Sequence, residues 1–200
     1  MPNPPYLSII IPVYNGGDLF ERCLTAIHGS TFSDWELIVV DDGSTDGSLA
    51  LAQSFGAKTL QTSGRLGPAV ARNQGAKVAT GRDIFFIDAD CELHQDTLAN
   101  IAQVFETNPM LDALFGSYDD APGAPNFVAQ YKNLFHHYVH QNSNPEASTF
   151  WTGCGAISRS QFLALNGFDT RRYRRPSIED IDLGYRLKQA GGQIRLAKHV

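Results

Sequence analysis

Residues 7–42 read LSIIIPVYNGGDLFERCLTAIHGSTFSDWELIVVDD, and the two apolar runs at the ends of this stretch decide the fold. Leu7 to Val13 and Trp35 to Val40 are short, rich in β-branched residues and too continuously apolar for strands with one solvated face. Runs of that kind form parallel strands covered by helices on both faces. Between them, Leu19, Phe20, Cys23, Leu24 and Ile27 recur at helical spacing over about Leu19 to His28, with Asp18 as the cap. Strand, helix and strand in that order make a right-handed crossover.

The pattern then repeats. Ser48 to Phe55 reads as a helix, Ala57 to Gln61 as a short strand, Ala69 to Val78 as a helix and Asp83 to Ile87 as a strand. The fold class is α/β, a Rossmann-like, mostly parallel central sheet flanked by helices. Ligands of such sheets gather outside the carboxyl ends of the strands, which singles out Tyr14, Asp41, Asp42, Asp88 and Asp90. A helix follows over about Gln95 to Glu106. A loop of Asp119, Asp120, Pro122, Gly123 and Pro125 then marks a subdomain boundary, and Gln193 to Val200 reads as a strand cut off at the chain end. The expectation is one domain over 1–200, cut at its C-terminal end, with a nucleotide-binding part over about 1–118 and an acceptor part over about 119–200.

A chain of 200 residues with 42% hydrophobic and 18% charged content suits a single core. Its formal charge of -5 argues against a nucleic-acid partner, because phosphate-backbone binding requires a basic surface. An anionic ligand would need a counter-ion. Cys23, Cys91 and Cys154 are odd in number and far apart, which indicates neither a disulfide framework nor a zinc site and fits a reducing cytosol. No basic segment with an apolar run opens the chain, and no stretch reaches the roughly 18 apolar residues of a membrane span. The expected location is therefore the cytoplasm, including the inner face of the membrane.

Three acidic clusters carry candidate chemistry. Asp88-Ala89-Asp90 follows the apolar run Ile84 to Ile87, and acids at i and i+2 of an extended chain project to one side. Mg²⁺ or Mn²⁺ suits such oxygen ligands, leaving coordination open for a diphosphate, although a solvated turn has the same pattern. Asp41 and Asp42 end the second strand. There a carboxylate accepts a base N–H or a ribose hydroxyl, or else Asp42, Ser44 and Asp46 cap a turn and a helix. Glu179, Asp180 and Asp182 follow Pro176 at the start of a helix running through Leu187. One of them beside an acceptor would act as general base, while Ser177 and Asp180 also match a Ser-X-X-acid helix start.

Taken in order, Pro12-Val13-Tyr14-Asn15, Asp41-Asp42-Gly43-Ser44, Ala71-Arg72-Asn73, Asp88-Ala89-Asp90, Gly153-Cys154-Gly155-Ala156, Asn166-Gly167-Phe168-Asp169 and Glu179-Asp180 resemble the family 2 glycosyltransferases over nearly the whole chain. The resemblance implies a GT-A fold and transfer, with inversion, of a sugar from a nucleoside-diphosphate sugar, UDP-linked by preference. A saccharide or lipid-linked hydroxyl would be the acceptor, in cell-envelope, polysaccharide or glycolipid synthesis. It also implies Pro12 and Tyr14 beside the base, Asp42 on the base edge with Asp41 next to it, and Gly67 and Asn73 near the nucleoside. Asp90 would bind the metal, with Asp88 and Ala89 by the ribose and metal, and Asp180 would be the catalytic base with Glu179 beside it. A metal-binding His on a later strand and a Gln/Arg-X-X-Arg-Trp motif, frequent in the family, have no secure counterpart, and His199 is not assigned as a ligand.

His136, His137 and His140 read as a polar helix face. Phe127, Val128, Tyr131, Leu134, Phe135, Tyr138 and Val139 read as the opposite stripe, buried in the core by preference and otherwise an acceptor or peripheral membrane surface. Arg171, Arg172, Arg174 and Arg175 form a basic run beside the proposed base, suited to phosphate oxygens. Two rival readings remain. A sugar-nucleotide pyrophosphorylase would need a basic loop after the first strand, and residues 14–18 contain no Lys or Arg; a non-catalytic nucleotide-sugar-binding module has no need of both Asp90 and Asp180.

Overall fold

The computed structural model describes residues 3–173 and 175–200. The strands are β1 (Leu7–Val13), β2 (Trp35–Asp41), β3 (Lys58–Gln61), β4 (Asp83–Ile87), β5 (Ala113–Phe115), β6 (Glu146–Ala147), β7 (Cys154–Ser158) and β8 (Ile194–Leu196). The helices are α1 (Gly17–His28), α2 (Ser48–Ser54), α3 (Pro68–Val78), α4 (Thr97–Thr107), α5 (Phe127–Asn142), α6 (Arg159–Ala164) and α7 (Glu179–Gln189). The strands form one sheet in the order β3-β2-β1-β4-β7-β5-β8-β6. β1 through β4 pair in parallel. β7 is antiparallel to both β4 and β5, so the sheet is mixed in its second half.

Alternation along β1 sends Ile9 and Ile11 to one face and Ile10 to the other. The first face packs against Phe20, Leu24 and Ile27 of α1 and Leu98, Ile101 and Phe105 of α4. The second packs against Ala69 and Ala76 of α3, Phe162 of α6 and Leu183 and Leu187 of α7. Two glycines set how closely the second layer approaches. A Cβ on Gly75 would lie 2.6 Å from Ile10 Cγ2, and one on Gly184 would lie 2.5 Å from the Phe150 backbone nitrogen. Neither neighbour has room to yield, so α3 and α7 are held close against the sheet and the 149–150 segment.

Several expectations are corrected. α1 begins at Gly17 with Gly16 as its cap residue, and Asp18 only lies in the first turn. The orphan amides are taken from outside the helix, since Gly16 N donates to Ser48 Oγ and Gly17 N to Asp46 Oδ2. Ser177 does not cap α7. The cap position is Ile178, and Ser177 N donates to Glu179 Oε2 at 2.8 Å. The last strand is only Ile194–Leu196.

The largest correction concerns α5, whose two faces are reversed. Phe127, Tyr131, Phe135 and Tyr138 are 81%, 59%, 50% and 66% exposed, so the apolar stripe faces out. The imidazole side faces in. His140 is buried against Phe115 and Trp151, and His136 stacks on Tyr118. Burial, and then the neighbouring His136 and His137, push the His140 pKa down to about 4, so the ring packs as a neutral aromatic. Ring-to-ring packing with Trp151 and Phe115 outweighs the aliphatic pattern that the periodicity reading relied on.

Candidate active site

The carboxyl ends of β1 and β4 and the start of α7 border one open cleft of about 640 Å³. Of the residues singled out in the sequence, Pro12, Tyr14, Asp88, Ala89, Asp90, Glu179 and Asp180 line it together. Asp41, Asp42, Gly67 and Asn73 do not line it. Their side chains or backbone build the loops behind it.

Asp42 is buried and its carboxylate is already engaged. Leu66 N donates to Oδ1 at 2.8 Å, Gly67 N donates to Oδ2 at 2.7 Å, and the Thr62 hydroxyl donates to Oδ1 at 2.8 Å. These bonds fix the 62–67 loop and the start of α3, where Gly67 holds the cap position with φ of 94° ahead of Pro68. The same loop brings the Arg65 guanidinium 4.1 Å above the Tyr14 ring. Asp41 is likewise spent locally, accepting from Ser44 N at 3.0 Å and Gln61 Nε2 at 3.2 Å. Asn73 clamps the Asn166–Phe168 turn through both ends of its amide: Nδ2 donates to Phe168 O and Oδ1 accepts from Phe168 N. Arg171 borders a second, separate pocket, Arg172 lies 3.5 Å from Asp182, and Arg174 lies outside the described residues.

At the end of β4, Asp88 Oδ1 accepts from Arg72 Nη2 at 2.6 Å, while the side chain stays 40% exposed. Asp90 is exposed, and among the described residues its carboxylate has no protein partner. Two carboxylates with oxygen left over suit a hard cation. No group of three or more His, Cys, Asp or Glu side chains that would hold a metal by themselves occurs among the described residues. That donor set fits Mg²⁺ or Mn²⁺ completed by water and phosphate oxygens, and it does not fit zinc.

Asp180 sits at the first turn of α7. Oδ1 accepts from Ile181 N at 2.8 Å, and Oδ2 accepts from Thr152 N at 3.3 Å and the Thr152 hydroxyl at 3.5 Å. Burial raises its pKa most. The two backbone N–H bonds pull down, Glu179 pushes up and Arg72 pulls down, and the net direction is upward. A carboxylate of raised basicity that faces an open cleft is suited to accept a proton. Thr152 and Arg72 are cleft residues that the acidic motifs did not point to; the signal for them was the Gly153–Ala156 motif next to Thr152 and the Ala71–Asn73 motif that contains Arg72, of which only Asn73 carried an expected role.

Residues 8–164 match the sequence model of glycosyl transferase family 2, and residues 132–200 match that of the N-terminal domain of galactosyltransferase. An uncharacterized glycosyltransferase of Escherichia coli K12, YibD, is 40% identical over 92 residues, which is 44% of this chain and 27% of that protein. Among solved structures, a mannosyltransferase of Pyrobaculum calidifontis in complex with GDP-Man and Mn²⁺ superposes with a TM-score of 0.76 at 23% identity, covering 100% of this chain and 57% of its own. TarS 1-349 of S. aureus in complex with UDP-GlcNAc gives a TM-score of 0.75 at 19% identity, covering 97% of this chain and 56% of its own. These two likenesses show the fold, which is the GT-A fold. The chain spans well under two thirds of each of these proteins. Because the family sequence runs through β1, β4 and the sheet strands that border the cleft, the chain belongs to the family 2 glycosyltransferases.

Proposed function

We propose that the protein transfers a sugar from a nucleoside-diphosphate sugar to an acceptor hydroxyl with inversion. The observation that carries this reading is the meeting of Asp88, Asp90 and Asp180 in one cleft, from elements more than eighty residues apart in sequence. Asp180 takes the proton of the acceptor hydroxyl as that oxygen bonds to the anomeric carbon. The bond from the same carbon to the diphosphate breaks from the opposite face, and the nucleoside diphosphate leaves with the electron pair. One base suffices, and no covalent sugar–enzyme intermediate is needed. Mg²⁺ or Mn²⁺ held by Asp90 and Asp88 would supply the positive charge that stabilises the leaving diphosphate. Tyr14 and Pro12 would border the base, with Asp42 and Gly67 shaping that end through the 62–67 loop rather than from the cleft wall.

Both GDP-Man and UDP-GlcNAc occur in the structures this fold resembles, and UDP remains the favoured carrier on the sequence reading. The outward aromatic face of α5 supports a lipid-linked acceptor or a peripheral membrane contact, in cell-envelope or polysaccharide synthesis. No helix among the described residues is long and apolar enough to cross a membrane.

A melting series with UDP, GDP, ADP, CDP and dTDP, each with Mn²⁺ or EDTA, tests the donor class. At about 100-fold excess over Kd a native-state ligand stabilises by roughly 2.7 kcal/mol. For a domain of this size that corresponds to a rise of about 5–10 °C. One diphosphate is expected to give such a rise with Mn²⁺ and a smaller one in EDTA. No rise with any of the five would contradict the reading.

A further inference from the structure

Arg72 is a charged residue of the cleft to which the proposed reaction gives no part. It projects from α3, its side chain is 5% exposed, and carboxylates from two other elements close on it. Nη2 donates to Asp88 Oδ1 at 2.6 Å at the end of β4, and Nη1 donates to Glu179 Oε1 at 3.5 Å at the start of α7. Glu179 is itself buried and uses its other oxygen to accept from Ser177 N. Nε of Arg72 is buried without a hydrogen-bond partner among the described residues.

Packing alone gives no reason for this arrangement. A buried guanidinium with an unmade hydrogen bond is costly, and replacing such a charge cluster by apolar side chains of like volume is often neutral or stabilising. What the arginine adds is geometric. Asp88 stands two residues before Asp90, and Glu179 immediately precedes Asp180. A planar guanidinium has two donor ends at fixed separation, which an ammonium does not. Bridging these two carboxylates therefore sets the distance between the strand end that would hold the cation and the helix start that carries the base. It also occupies Asp88 Oδ1, leaving Oδ2 as the oxygen of that residue free to face a ligand.

We propose that Arg72 is a positioning residue for sugar transfer. It holds Asp88 and Glu179, and through them Asp90 and Asp180, in register across the cleft without touching substrate. The proposal rests on the reading of the cleft as a glycosyltransferase site. A misplacement of about 1 Å at such a site costs on the order of 100-fold in rate.

The test uses the full-length protein with Arg72→Met, Arg72→Lys, Glu179→Gln and the Arg72→Met/Glu179→Gln double variant. Melting temperature, diphosphate affinity in EDTA and with Mn²⁺, and kcat and KM are measured on each. Arg72→Met is expected to melt within a few degrees of wild type and to keep its affinity in EDTA. It should lose most of the Mn²⁺-dependent gain in affinity, and kcat should fall about 10- to 100-fold with a smaller change in KM. Arg72→Lys should recover part of the loss. The double variant should be no worse than the worse single one, because residues that act as a unit are not additive.

Transfer by Arg72→Met within about threefold of wild type, or losses that multiply in the double variant, would overturn the proposal. So would a fall in kcat that merely follows the fall in melting temperature. If Arg72→Met does not fold, Arg72→Lys with Glu179→Gln carries the same additivity test. A wild-type protein that transfers no sugar from any donor would remove the proposed function itself, whereas an active wild type with an unimpaired Arg72→Met removes only the role of Arg72.

Discussion

Asp180→Asn is expected to leave the protein folded and able to bind its donor while lowering sugar transfer by about 100- to 10,000-fold. The substitution separates two demands on one carboxylate. Structurally, Asp180 accepts from Ile181 N and from Thr152, and an amide oxygen can keep one of these sets of bonds. Losing the rest costs about 1 kcal/mol. That cost is offset because burial disfavours the ionised acid and does not disfavour a neutral amide. Chemically, an amide cannot take the acceptor proton at neutral pH.

The raised pKa adds a signature in the pH profile of kcat/KM. Asp180 acts only when deprotonated, and a raised pKa means protonation sets in at a higher pH as the solution is acidified. The acidic limb of the wild-type profile should therefore lie above the range of an exposed aspartate, and it should be missing from the residual activity of Asp180→Asn. Transfer near the wild-type rate, or a large fall in melting temperature with proportionate loss of activity, would return Asp180 to a structural role. Glu179 and Asp182 would then be the next acids to examine. Of these, Glu179 is tied to Arg72 and Asp182 to Arg186 at 2.7 Å.

Asp90→Ala is expected to abolish the Mn²⁺-dependent part of diphosphate binding and to slow transfer by about 1,000-fold, the several kcal/mol that a metal ion contributes to a developing charge. Stability should be unaffected. The side chain is exposed and makes no protein hydrogen bond among the described residues. Calorimetry with diphosphate in EDTA and then in Mn²⁺ resolves the two contributions. A folded Asp90→Ala protein whose affinity still rises with Mn²⁺ to the wild-type extent would refute the metal assignment.

Much of the fold was legible because buried parallel strands leave an unmistakable trace. β1, β2 and β4 are built around the apolar runs Ile9–Ile11, Leu37–Val40 and Ile84–Ile87, and α1 shows one apolar side, so element type and order follow directly. The second half was harder to read. β5, β6 and β8 are three, two and three residues long, and β7 is CGAIS, with a glycine next to the Trp151 carbonyl where no side chain fits. Such strands carry no periodicity, and only their pairing partners define them. α5 misled in a different way. Its aliphatic and aromatic residues form a clear stripe, yet the neighbouring surface is Phe115, Tyr118 and Trp151, which takes imidazoles edge-on at Phe115 and Trp151 and stacked at Tyr118 and leaves the stripe outside.

The site was legible in its acids and not in what orients them. Asp88 and Asp90 line the cleft, as the position of a strand end follows from the run before it. Asp41 and Asp42 also stand at a strand end, but the loop at 61–67 folds back over them and takes their oxygens, a tertiary event that local sequence does not announce. Arg72 lies in a helix whose apolar residues are mostly alanines, where one buried arginine looks like an exposed one. Only the convergence of β4 and α7 on it shows otherwise.

Transfer of sugar from a nucleoside diphosphate to a hydroxyl in this cleft is open to direct measurement. The most direct test incubates the full-length protein with Mn²⁺, an acceptor and the nucleotide sugar whose diphosphate stabilises it best, and follows released nucleotide alongside the glycosylated product. One nucleoside diphosphate per sugar transferred is expected, with the product carrying the anomeric configuration opposite to that of the donor. Retained configuration would contradict the single-base mechanism. Formation of pyrophosphate from sugar phosphate and nucleoside triphosphate, with no sugar transfer, would contradict the assignment of the cleft as a whole.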